Sequence, residues 1–94
     1  MNNSYSDLKT TIHKKTLECL EHISIVLDDC RGDINLTEFD IDSVAFVSFI
    51  VDLEETFNIL IPDYYLTYEI LQSLTGLENL VFELLAESSN EQIL

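Results

Sequence analysis

The sequence predicts an all-α fold, a bundle of three longer helices and one short helix with a long first loop. Three observations carry this. Apolar residues recur at three- and four-residue spacing in three separate stretches. No stretch alternates apolar and polar residues as a half-buried strand does. Asp, Asn, Gly, Ser and the single proline gather between the periodic stretches, where helices start and stop.

The first helix is expected over residues 6–26. Ser4 or Ser6 can cap it, with Asp7 in the first turn. Leu8, Ile12, Leu17, Leu20 and Ile23 form its apolar side, and Lys9, Lys14, Lys15, Glu18 and Glu21 fill the other. Residues 28–41, DDCRGDINLTEFDI, break the period and form the long loop. Ile34, Leu36 and Phe39 are its expected apolar anchors, so the loop is a structured crossover.

The second helix is expected over residues 43–57. At about 100° per residue, Phe46, Phe49, Ile50, Leu53 and Phe57 gather on one side as the core stripe. Asp52 and Glu55 face the opposite way, to water. Val44, Val47 and Val51 form a second stripe flanking Ser43. Either the third helix covers them, or they are an exposed apolar strip that docks partners.

Pro62 forces Ile61 toward an extended conformation, so the second helix ends before it. A short helical segment is expected from Asp63 to about Ile70. Ser73 then caps a last helix carrying Leu74, Leu77, Leu80, Val81 and Leu84. One domain is expected over residues 1–94, with a core over about 6–86 and a tail over 87–94.

Composition limits the function. The chain has 94 residues and 47% apolar content, enough for one core without metal or disulfide support. Four Lys+Arg against 18 Asp+Glu give a net charge of −14. That excludes nucleic acid, whose phosphates demand a basic face, and suits basic protein partners. All four cations, Lys9, Lys14, Lys15 and Arg31, lie in the first third. No apolar run is long enough to span a bilayer, and the N-terminus lacks a secretory pattern. A cytoplasmic monomer with two reduced thiols, Cys19 and Cys30, is expected.

Ser43 has two readings. Asp42-Ser43 before a helix is a capping pair, with the Asp42 carboxylate accepting from the first free N–H groups and favoured by the helix dipole. Alternatively Ser43 presents an exposed hydroxyl where an attached phosphodiester would meet free N–H groups. Spacing alone does not choose.

The run 42-DSVAFVSFIVDLEETFNILIP-62 resembles the acyl carrier protein superfamily, which includes peptidyl and D-alanyl carriers. The matching motifs are Asp42-Ser43-Val44, Glu54-Glu55-Thr56-Phe57 and Ile59-Leu60-Ile61-Pro62. The segment 73-SLTGLENLVFEL-84 resembles the last helix of that family. The resemblance implies a four-helix bundle of acyl-carrier type. It implies a free-standing, non-catalytic carrier with covalent 4′-phosphopantetheine on Ser43, holding acyl or aminoacyl groups as thioesters. It also implies the partners. These are a phosphopantetheinyl transferase that draws on coenzyme A, an acyl- or aminoacyl-loading (adenylating) enzyme, and condensing or transferring enzymes. Val44, Val47 and Val51 fall on the family's partner-recognition face.

The departures are informative. Asp40 stands where the family usually has glycine. Ala45 and Ser48 stand two and five residues after the serine, where fatty-acid carriers tend to be acidic. Those absent charges favour a specialised pathway with aminoacyl, peptidyl or polyketide-type cargo. The competing reading is an unmodified acidic helical interaction module.

Three other chemistries are weak. The stretch 27-LDDCRGDINLTEF-39 echoes a calcium loop with Gly32 central and Glu38 last. Its first ligand would be Leu27 and its fifth Arg31, so it should not hold Ca²⁺ well. His13, His22, Cys19 and Cys30 match no zinc spacing, and no base neighbours Ser43 for nucleophilic catalysis.

Overall fold

A computed structural model describes residues 4–27 and 32–92, with side chains over 7–27 and 32–87. The described residues contain three α-helices and no strand: α1 Ser4–His22, α2 Ser43–Phe57 and α3 Leu74–Gln92. Helix α1 packs against both α2 and α3.

Helix α1 stops earlier than its apolar period. Ser24 takes the left-handed conformation, φ 70°. The Ser24 N–H bonds to the Glu21 carbonyl and the Ile25 N–H to the Leu20 carbonyl, 2.9 Å each. This is the αL closure that ends a helix with a 6→1 bond. Ile25 is then buried by the chain turning over the core. At the other end, Ser4 is the first helical residue and Ser6 lies within the helix, so neither serine is its N-cap. The buried face is Ile12, Thr16, Cys19 and Leu20, whereas Leu8 is exposed.

The crossover contains one 3₁₀ turn, Leu36–Glu38, capped by the Asn35 side chain on the Thr37 N–H. Leu36 is fully buried and Ile34 half-buried. Phe39 is not a buried anchor. It is exposed, and Ile41 packs on the core in its place. Cys30, Arg31 and the first acidic residues of the calcium-like loop lie outside the described residues.

The short helix is not α-helical. It is two 3₁₀ turns, Asp63–Tyr65 and Tyr68–Gln72. Thr67 between them is extended, φ −128°, ψ 164°, so the helical hydrogen bonds cannot run through. Leu71 is its fully buried anchor, and the second turn packs against the Leu36–Glu38 turn.

Helix α3 starts where the sequence places it. Ser73 Oγ accepts the Gly76 N–H at 2.9 Å. Asp33 from the crossover adds to this cap, taking the Ser73 hydroxyl and the Thr75 N–H. The Leu74 N–H bonds to the Ile34 carbonyl at 2.8 Å. The crossover is thus stapled to the start of α3. Leu74, Leu77, Leu80 and Val81 are buried. Helix α3 runs on to Gln92, into the stretch 87–94 expected to form a tail.

Candidate functional site at the start of α2

Helix α2 carries the core on one face. Phe49, Ile50 and Leu53 are buried, and Phe46 and Phe57 are partly buried against them. Its start is organised by Asp42, which is extended and accepts the Ala45 N–H on its side chain at 2.8 Å. The Asp42 carbonyl accepts the Phe46 N–H at 2.9 Å. Asp42 is therefore the N-cap, and Ser43 is the first helical residue.

That division frees Ser43. It is exposed, and its hydroxyl makes no hydrogen bond among the described residues. The Ser43 and Val44 N–H groups lie in the first turn, where no intrahelical acceptor exists. Ser43, Val44, Val47 and Ser48 line a shallow recess of about 390 Å³. An exposed hydroxyl beside an open recess at the positive end of a helix can accept a bulky, anionic substituent without disturbing the core.

The second stripe is not covered by α3. Val44 is 75% exposed, Val47 58% and Val51 42%. Ser48 is exposed and Ala45 half-buried, so this face has no carboxylate at either position. Asp52 does not simply face water. It is half-buried and accepts from Nδ1 of His22 at 2.5 Å. Glu55 is exposed as expected.

Asp40 substitutes for glycine without strain. Among the described residues only Ser24, Gly32 and Asn58 have positive φ, so the backbone at Asp40 makes no demand for glycine.

Two contributors were missed from the sequence. Glu54 accepts the Ile61 N–H at 2.9 Å, fixing the chain just before Pro62. The signal was available: Pro62 extends Ile61 and orphans its N–H, and a carboxylate one turn from the helix end can reach it. Just before that segment, α2 ends at Asn58 in the left-handed region, φ 56°. The second contributor is Tyr68. Its hydroxyl donates to the Ile41 carbonyl at 3.0 Å, and its ring lies 5.2 Å from that of Phe46. It steadies the segment that enters Asp42-Ser43.

Among the described residues the other candidate chemistries find no site. Among the described residues no group of three His, Cys, Asp or Glu could hold a metal ion. His13 pairs with Glu78 at 2.7 Å, and His22 with Asp52. Cys19 is buried, and burial pushes its thiol up to about 11. Asp33 of the calcium-like loop is committed to Ser73 and Thr75. No helix among the described residues is long and apolar enough to cross a membrane.

Searches of curated proteins and of solved structures find no match. A family model, the phosphopantetheine attachment site, matches residues 19–81, which is well over half of the chain and runs from α1 into α3. The chain therefore belongs to the phosphopantetheine attachment site family, whose members are non-catalytic carriers with covalently attached 4′-phosphopantetheine.

Proposed function

We propose that Ser43 bears the 4′-phosphopantetheine and that residues 6–86 act as one carrier domain in a specialised biosynthetic pathway. The observation that carries this is the division of labour at the start of α2. Asp42 caps the helix, so the exposed Ser43 hydroxyl has no structural duty. When attached, the arm supplies a terminal thiol that holds acyl or aminoacyl cargo as a thioester. The chain itself positions the hydroxyl, and the neighbouring N–H groups and helix dipole favour the phosphodiester.

Val44, Val47 and Val51 serve as the docking strip for a phosphopantetheinyl transferase, an adenylating loading enzyme, and condensing or transferring enzymes. Their exposure beside Ser43 supports this. Neutral Ala45 and Ser48 support partners other than those of fatty-acid synthesis, and hence aminoacyl, peptidyl or polyketide-type cargo. A cytoplasmic, monomeric protein fits this role.

The test is mass spectrometry after incubation with coenzyme A, Mg²⁺ and a broad-specificity phosphopantetheinyl transferase. Wild type should gain one phosphopantetheine mass. Ser43→Ala should gain none while keeping its helical circular dichroism. Modification of Ser43→Ala to the wild-type extent would place the arm elsewhere.

A further inference from the structure

The geometry points to a cradle beside Ser43 for an α-aminoacyl cargo with an aromatic side chain, in which Asp40 receives the cargo's ammonium group. It rests on the attachment proposed for Ser43 and narrows the cargo to one class. The cradle lies between the crossover and the Tyr68–Gln72 turn. Thr37, Phe39, Asp40, Ile41, Tyr68 and Leu71 line a recess of about 330 Å³. That is within the size range of small-molecule pockets, which combine apolar walls with a few placed polar groups.

The walls are apolar and held in place. Leu71 is fully buried and Ile41 half-buried, while Phe39 is 37% exposed and Tyr68 47%. Tyr68 is fixed at both ends, its hydroxyl on the Ile41 carbonyl and its ring tilted 41° against Phe46. A ring entering the recess can meet Phe39 and Tyr68 in the tilted or offset arrangements that aromatic pairs prefer.

The polar side chains of the lining divide by what they already hold. The Thr37 hydroxyl donates to Oδ1 of Asn35, and the Tyr68 hydroxyl is on Ile41. Asp40 is exposed, and its carboxylate has no hydrogen bond or ion pair among the described residues. The neighbouring Asp42 carboxylate is committed to the Ala45 N–H. An aromatic aminoacyl thioester carries its α-ammonium and its ring on adjacent carbons, so one small group meets both the walls and Asp40. A plain acyl or ketide chain uses the walls and leaves the carboxylate idle. Asp40 is three residues before Ser43, a span of at most about 11 Å. An arm on Ser43 that folds back over Ile41 brings its thioester to the recess. The tether raises the cargo's local concentration to about the millimolar range, so weak recognition suffices.

The probe is L-phenylalaninamide, titrated into the intact unmodified protein at about pH 6, where its α-amine is charged, and followed by NMR. The controls are 3-phenylpropanamide, which lacks the amine, and L-alaninamide, which lacks the ring. Saturable shifts should concentrate on the Ile41 methyls and the Phe39 and Tyr68 rings. Phenylalaninamide should bind up to about fivefold more tightly than 3-phenylpropanamide, the range of an exposed ion pair. Asp40→Asn, checked for native circular dichroism, should erase that difference while keeping the shifts. Shifts that never saturate, alaninamide binding as tightly as phenylalaninamide, equal affinities for the two ring compounds in wild type, or a difference that survives Asp40→Asn would each overturn the cradle. Because the probe needs no arm, this result is independent of the Ser43 mass assay. Modification of Ser43 without the localised shifts removes the cradle alone. Localised shifts without modification remove the carrier reading and leave a site for an aromatic amine.

Discussion

The start of α2 shows how one residue's structural role sets the chemistry of the next. Asp42 accepts the Ala45 N–H, a bond worth about 1 kcal/mol at a helix N-cap. If Ser43 had held that cap, modifying its hydroxyl would have cost the helix its closure. Ser24 is the opposite case, a residue under local strain for a structural end. Its left-handed φ of 70° turns the chain out of α1 so that Ile25 reaches the core. An L-residue other than Asn pays about 1–2 kcal/mol there, and glycine avoids that while losing more freedom on folding. Ser24→Gly should therefore stabilise the protein by about 0.5 kcal/mol net. Urea unfolding should show a higher midpoint at unchanged slope, and a lower midpoint would mean that the serine side chain supports the turn. Nothing in the sequence around 23-ISI-25 carries the usual Gly or Asn helix stop, which is why periodicity overran α1 by four residues.

At the scale of elements, α2 has two apolar faces, one buried in the core and one exposed. The pattern of phenylalanines identified the buried one, but periodicity could not decide whether a neighbour covers the valines. That depends on where α3 and the 3₁₀ turns sit, which is tertiary information. With exposures of 58% and 42%, Val47→Asp and Val51→Asp should change stability by no more than about 0.5 kcal/mol each. The same variants should slow phosphopantetheinylation and loading, measured as a raised KM for the carrier. A large loss of melting temperature with unchanged KM would assign the valines to packing. The staple between the crossover and α3 was legible only by half. Ser73 announced itself as a cap by position, but Asp33, 40 residues earlier, could not be paired with it from spacing. The Ser73 hydroxyl, then the Thr75 N–H, hold the Asp33 carboxyl below its usual 3.8. A carboxylate depressed in the folded state stabilises above its unfolded pKa and loses that contribution as pH falls through the folded value. The staple should hold at neutral pH and loosen below about pH 3.8. The protection factor of the Thr75 amide, its exchange rate corrected for the intrinsic pH dependence, should fall there in wild type, while Asp33→Asn should be poorly protected already at neutral pH. Equal protection in both proteins would deny Asp33 a role in the staple.

At the scale of the molecule, the core and the charge work against each other. Among the described residues fifteen apolar side chains are buried, in the three helices, the crossover and the segment between α2 and α3, yet 18 acidic residues face only four Lys and Arg. The helical class was legible because three periodic faces with punctuation between them admit no other fold. The fourth element was not, since Pro62, extended Thr67 and a buried Leu71 yield two 3₁₀ turns that a helical period imitates. The charge imbalance itself is plain in the sequence, and its consequence is a test on the whole protein. Carboxylates within about 10 Å repel at low salt and are screened near 0.1 M. Raising NaCl from low to moderate concentration should therefore raise the melting temperature. A gain of 1 kcal/mol corresponds to about 4–8 °C for a domain of this size. The two histidine–carboxylate pairs respond in the opposite sense, but they are few and partly exposed, so repulsion governs the sign. With the arm on Ser43, as proposed, a phosphodiester charge would lie beside Asp42 and Asp40, so the modified protein should gain more from salt than the unmodified one. Thermal melts of both forms across a salt series decide it. A melting temperature that falls with salt would mean that favourable ion pairs outweigh the acidic excess. Equal salt responses in the two forms would mean that the helix N-terminus already neutralises the added charge.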